Sequence, residues 1–285
     1  MIKAGFLIAY DYDFIFNSLP QIYTFVDEIV LAIDIDRKTW MGNDFQIEDD
    51  FFNKIRSIDA DQKIKIYEDR FYVEGEKPMD LETRERNMLS NFMGDNCWKM
   101  QIDSDEYCLN FDKVITFLKK NEFLLKKTAP QINFLPIWIT LFKQNEKGFF
   151  IIKPSTENFS MMFNRPEYKY ARNSEGLDLK IDYKVIHQSW ARTEAEVLTK
   201  IKNWGHAHDF EVMNFFEKWK ALNEDNFNEY VDFHPIYKGF WQSLEFVEAK
   251  NITELLVKLT ETTNVEEIKV SSKLKKLRLK NFLRF

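Results

Sequence analysis

Trp98-Lys99-Met100-Gln101-Ile102-Asp103-Ser104-Asp105-Glu106 is the stretch on which the reading of this chain turns. Its first five residues have the pattern of a strand, and the run ends on two carboxylates one residue apart. An Asp-x-Asp pair alone is a weak signal, because such pairs arise by chance and usually sit on solvated loops. The preceding strand raises it: carboxylates at i and i+2 of a strand end can both turn toward one bound cation. A hard divalent ion that bridges two phosphates needs few protein oxygens and keeps some of its waters, which suits Mg²⁺ or Mn²⁺ better than an enclosing calcium site. An EF-hand loop is excluded, since Tyr107 and Cys108 stand where a ligand and a glycine belong.

Outward from this stretch, the first third of the chain alternates strand and helix signals, the pattern of a parallel sheet covered by helices. Lys3 to Tyr10 and Glu28 to Ile35 are short apolar runs, and Lys63 to Val73 alternates. Leu19 to Val26, Asp49 to Ile58 and Leu81 to Met93 have helical spacing. Ligands of such sheets gather beyond the carboxyl ends of the strands. Three of those ends are acidic: Tyr10-Asp11-Tyr12-Asp13, Asp34-Ile35-Asp36 and Asp103-Ser104-Asp105-Glu106. Longer strands are expected at Ile132 to Lys143, Gly148 to Lys153, Asn158 to Asn164 and Tyr183 to Trp190. Helices are expected from Thr193 onward, at Asp209 to Leu222 and at Phe240 to Thr262.

The 285 residues include 27 Phe and 7 Trp, the composition of a chain with a large core. Cys97 and Cys108 are too few for a disulfide framework and, with no signal-peptide pattern at the N-terminus, point to a cytoplasmic protein. The net charge of -6 conceals a basic tail: residues 269–285 carry seven Lys and Arg and no acid, which leaves about -13 for residues 1–268. That balance argues against a nucleic-acid surface. The tail mixes Leu and Phe with its basic residues, so an anionic membrane surface, a docked helix and a free tail are all open readings.

These features together resemble a family 2 glycosyltransferase of the glycosyltransferase-A fold. The resemblance rests on Ala9-Tyr10-Asp11 after the first strand, on Val26-Asp27-Glu28-Ile29-Val30 leading to Asp34, and on Glu82-Thr83-Arg84-Glu85-Arg86-Asn87 ahead of Gln101-Ile102-Asp103-Ser104-Asp105-Glu106. It covers about residues 1–190. It implies an α/β/α sandwich with a Rossmann-like mixed sheet over residues 1–205, a helical extension over 206–268 and the basic tail over 269–285. It further implies that Tyr10, Asp11, Asp34, Asp36, Arg84, Arg86 and Asp103 bind a nucleotide-sugar donor. Asp103 and Asp105 would hold Mn²⁺ or Mg²⁺, with His187 completing the metal site or serving as a core histidine. The acceptor would be a saccharide or lipid-linked glycan, as in polysaccharide assembly, and the reaction would invert the sugar carbon. Such a reaction needs a base, for which Asp182, His187 and Asp209 are the candidates. Turn chemistry at strand ends competes for Asp11 and Asp34, a solvated helix face competes for Arg84 and Arg86, and helix capping is the plainer account of Asp209. A non-catalytic nucleotide- or glycan-binding protein of the same fold is the alternative function. A nucleotidyltransferase is weakened by the lack of a glycine-rich loop after the first strand.

Overall fold

The computed structural model describes residues 1–203, 210–269 and 272–282. Strands β1 (Ile2–Ile8), β2 (Glu28–Asp34), β3 (Ile64–Asp69) and β4 (Trp98–Asp103) lie parallel in the order β3-β2-β1-β4. The short apolar runs of β1 and β2 are buried on both faces, as a parallel sheet between helices requires. Helices α1 (Ile15–Ile22), α2 (Asp49–Ile58) and α3 (Pro78–Phe92) form the intervening connections. Gly5 on β1 lets α3 seat closely: a Cβ there would stand 2.8 Å from a methyl of Leu89.

The sheet continues past β4 in mixed sense, through β5 (Glu106–Tyr107), β6 (Ile132–Gln144), β7 (Gly148–Lys153), β8 (Met162–Phe163), β11 (Leu177–His187) and β12 (Ser243–Glu248), with β9 (Tyr168–Tyr170) and β10 (Asn173–Ser174) outside it. The whole order is β12-β7-β6-β8-β4-β1-β2-β3. β11 runs parallel to β6 and also pairs with β5, and β9 and β10 form a separate small hairpin. The remaining helices are α4 (Phe111–Lys119), α5 (Glu194–Asn203), α6 (Val212–Ala221), α7 (Ile252–Thr262) and α8 (Ser272–Phe282). The class is therefore α/β, a curled mixed sheet clothed by helices, as the sequence pattern indicated.

The structure refines the sequence reading in two places. Phe240 to Thr262 is not one helix: Ser243–Glu248 pairs antiparallel with all of β7, and only Ile252–Thr262 is helical. Val247 and Phe246 offer apolar spacing that a strand and a helix both satisfy over so short a run. The tail is a docked helix over its described part. Leu274 is fully buried, Leu277 packs on the main core and the Arg278 guanidinium donates to Asn121 at 2.9 Å, while Leu279 is exposed. Among the described residues no helix is long and apolar enough to cross a membrane.

A second, aromatic core forms where α5 and α6 cover the β6–β7 part of the sheet, around Phe142, Phe150, Trp190, Phe215, Trp219 and Trp241. Gly148 lies opposite Glu248 in the β7–β12 pairing, and a Cβ there would stand 2.3 Å from the Val247 carbonyl oxygen. Backbone cannot yield as a side chain can, so Gly148→Ala is expected to destabilise the fold by about 1–3 kcal/mol, read as a lower urea midpoint.

Candidate active site

The carboxyl ends of β1, β2 and β4 open into one cavity of about 540 Å³, lined on its other side by β6, β11, the C-terminal end of α5 and the segment 234–241. Of the candidates, Tyr10, Asp11, Asp34, Arg86, Asp103, Asp105 and His187 line it. Asp36, Arg84 and Asp182 do not. Asp36 is exposed and pairs with Arg70 at 3.1 Å, and Arg84 is exposed and donates to the Arg70 carbonyl at 2.8 Å, which is the solvated-face account. Asp182 accepts the Lys269 backbone N–H at 2.7 Å and is corrected from base to anchor of the C-terminal segment. Asp209 lies outside the described residues.

Asp34 reaches the cavity wall, but its carboxylate takes four backbone N–H groups, those of Asp36 and Lys38 at 3.0 Å, Phe71 at 2.8 Å and Tyr72 at 2.9 Å. It ties the loop after β2 to the loop after β3, which is the turn chemistry that competed for it. Arg86 is equally engaged: it donates to Glu82 at 2.9 Å, Gln101 at 3.1 Å and Asp103 at 3.2 Å. Its neighbour Asn87 clasps the β9–β10 hairpin through both the N–H and the carbonyl of Tyr168. Through that clasp, Arg172 enters the site and ion-pairs with Asp103 and with the fully buried Glu106. Glu106 also receives the Trp138 indole N–H at 2.9 Å and the Asp103 N–H at 3.0 Å.

Asp105 stands in a different neighbourhood. Its Oδ2 is 2.5 Å from the Arg192 guanidinium, which also reaches Asp11 at 2.9 Å; His187 Nε2 is 3.7 Å away and Lys200 Nζ 3.8 Å. Burial works to raise the Asp105 carboxyl, but His187, Arg192 and Lys200 outweigh it and hold the group well below the usual carboxylate range. Burial pulls His187 down to about 4 despite the adjacent Asp105, so its imidazole is neutral near pH 7. Burial, with Arg192 adding to it, pulls Lys200 down to about 8. His187 Nδ1 is buried without a hydrogen-bond partner.

A divalent cation here would have to draw on the ionised Asp105 carboxylate and on the neutral His187 imidazole, whose Nε2 faces that carboxylate. Such an ion does not fit at Asp103, because both oxygens of that carboxylate are held by guanidinium groups. Among the described residues no three His, Cys, Asp or Glu side chains converge into an all-protein metal cage. Mg²⁺ and its like commonly take one or two protein ligands and fill the remainder with substrate phosphate and water.

Sequence reasoning missed Arg172, Arg192 and Lys200. Lys200 had a signal: it is buried on the same face of α5 as Val197 and Ile201, a cation interrupting an apolar stripe. Arg172 had none, since it reaches the site from the turn of a local hairpin that is fastened in place by Asn87, 81 residues before Tyr168.

Glu85 on the cavity wall carries its own prediction. Burial pushes its carboxyl up to about 8, although it accepts the Trp40 indole N–H at 2.6 Å. The unfolded chain ionises this group near its ordinary 4.5 while the folded chain keeps it protonated, so folding takes up a proton and stability falls as pH rises from 4.5 to 8. The slope is on the order of 1 kcal/mol per pH unit. Glu85→Gln keeps the acceptor for Trp40 and is expected to melt above wild type at pH 8, with the gap closing toward pH 5. A gap independent of pH would refute the assignment.

No protein family and no curated protein matches the sequence. Solved structures are similar at a low level, three of them as follows. A mannose-6-phosphate isomerase from Helicobacter pylori shares 14% identity over 80% of this chain and 83% of that one, with a TM-score of 0.31. S. aureus TarS 1-349 shares 11% over 79% and 68%, with a TM-score of 0.34. A 4-diphosphocytidyl-2C-methyl-D-erythritol synthase shares 10% over 91% and 98%, with a TM-score of 0.29. At these scores the likenesses say nothing about activity, and the functional argument rests on the residues of the cavity.

Proposed function

We propose that the protein is a glycosyltransferase that moves a sugar from a nucleoside-diphosphate donor to a saccharide or lipid-linked acceptor, with inversion at the sugar carbon. The observation that carries this reading is the Asp105 carboxylate at the floor of a cavity beyond parallel strand ends, with Arg192, Lys200 and a neutral His187 gathered around it. Departure of a nucleoside diphosphate builds negative charge, and stabilising that charge is the main demand of the reaction. A Mn²⁺ or Mg²⁺ ion held by Asp105 and His187 would supply positive charge against the diphosphate. Lys200 and Arg192 add to the same potential from fixed, desolvated positions, where a charge acts more strongly than in water. Arg192, braced by Asp11, also fixes the carboxylate that faces the donor. Of the three sequence readings of His187, metal ligand, base or core histidine, its Nε2 approach to Asp105 supports the first.

The test is a panel of UDP-, GDP- and dTDP-sugars with Mn²⁺ or Mg²⁺, followed by nucleotide release and by calorimetry. Slow hydrolysis of one donor is expected. Tight nucleotide binding without hydrolysis or transfer would favour the non-catalytic alternative, and absence of all nucleotide binding would remove the transferase reading together with the nucleotide-binding form of that alternative.

A further inference from the structure

The wall of the cavity opposite the N-terminal strands has a chemistry of its own. Trp138 on β6 stacks on Phe159 with ring centroids 4.3 Å apart and stands 4.7 Å from the ring of His187, so the wall begins one side chain from the reactive end. Beside it is Glu157, whose backbone carbonyl accepts the Trp138 N–H at 2.9 Å and whose carboxylate accepts the Trp241 indole N–H at 2.9 Å. Trp241 packs edge-on against His234 at 4.4 Å, and the His234 ring accepts the N–H groups of Ile236 and Tyr237 at 3.1 and 2.9 Å. That wrapping brings Tyr237 to the cavity mouth, where it is 58% exposed. The track from Trp138 to Tyr237 thus runs outward from the reaction end to solvent.

We infer that this track is the acceptor subsite and that it takes the end of a neutral glycan more than one sugar long. The inference rests on the transferase reading and supplies its acceptor class. Flat rings interleaved with a few fixed hydrogen-bonding groups are what a sugar ring asks for, since each pyranose has one apolar C–H face and a rim of hydroxyls. The cation against these rings, Arg172 at 5.3 Å from the Phe159 ring centre, is already paired with Asp103 and Glu106, and the outer part of the track carries Glu157 as its charged lining group, so no unpaired cation among the track's lining residues greets an anionic acceptor. The same carboxylate, with Asn158 and Ser160 beside it, makes the wall a poor host for a purely apolar chain. A glycan longer than one residue is implied because the rings continue to an exposed tyrosine that a monosaccharide at His187 would leave bare.

The experiment uses the full chain and an immobilised array of neutral glycans built from the common hexoses and N-acetylhexosamines, with sialylated and phosphorylated counterparts alongside. Binding to at least one neutral disaccharide or longer glycan is expected, weakened about tenfold by Tyr237→Ala. Tyr237 is exposed, so the variant is expected to melt with wild type, which separates lost contact from lost fold. Preference for charged glycans, binding to monosaccharides equal to that of longer chains, no glycan binding, or binding unaltered by Tyr237→Ala would each overturn the inference. Nucleotide-diphosphate affinity measured on the same protein keeps the two claims apart. Nucleotide binding without glycan binding sinks the track alone, whereas glycan binding at the track without nucleotide binding sinks the transferase reading.

Discussion

Asp105→Asn is expected to reduce donor hydrolysis by at least about a hundredfold while leaving the protein folded. The substitution keeps the size of the side chain and removes its charge, and with it the charge that gathers Arg192, Lys200 and His187 into one cluster. Arg192 retains Asp11 at 2.9 Å and Lys200 retains the Ser189 carbonyl at 3.1 Å, so neither cation is left bare in the interior. Asp103→Asn is the informative companion. Asp103 lines the cavity but gives its two oxygens to Arg86 and Arg172, so its loss is expected to appear chiefly as a lower melting temperature. If both variants kept wild-type hydrolysis, Asp105 would have no part in the reaction and the functional proposal would fall. If Asp103 were the variant that lost activity at unchanged stability, the division of labour between the two carboxylates would be reversed.

That division marks where sequence reading stops. The strand before Asp103 was legible because five residues with a strand pattern ending on acids admit few folds, and β1, β2 and α2 were legible because apolar runs and helical spacing are local. The end of β4 also announced a site, since acidic residues at three neighbouring strand ends suggest a shared cleft before any coordinates exist. Which acid did what was not local. Asp34 and Asp105 are both strand-end aspartates, yet one spends its oxygens on four backbone N–H groups and the other faces two cations and an imidazole. The difference comes from chain that returns over 80 residues later, in Arg192 and Lys200. β12 illustrates the same limit in the fold: its six residues acquire their strand identity from β7, about 95 residues earlier in the chain, rather than from their own spacing.

Arg172→Met is expected to destabilise the protein by about 3–5 kcal/mol, more than loss of any surface ion pair could cost. Arg172 is itself buried and joins two carboxylates, and its guanidinium also lies 5.3 Å from the centre of the Phe159 ring. Methionine preserves much of the packing volume and removes the charge, which leaves Glu106, with no exposed surface, against Asp103. Asp103 keeps Arg86 at 3.2 Å, so the group left uncompensated is mainly Glu106, whose carboxyl burial already pushes up to about 7 against the pull of Arg172, and the urea titrations are therefore run above that pH. Adding Glu106→Gln should therefore recover on the order of 1–2 kcal/mol, because glutamine still accepts the Trp138 indole and Asp103 backbone N–H groups without bringing a charge. Urea titrations of the two single variants and the double variant measure that coupling directly. Additive losses would mean that Arg172 stabilises the site by packing alone. A recovery confirms that the hairpin carried by α3 is held over the cavity by charge, and that the acid after the Asp-x-Asp pair belongs to the scaffold rather than to the chemistry.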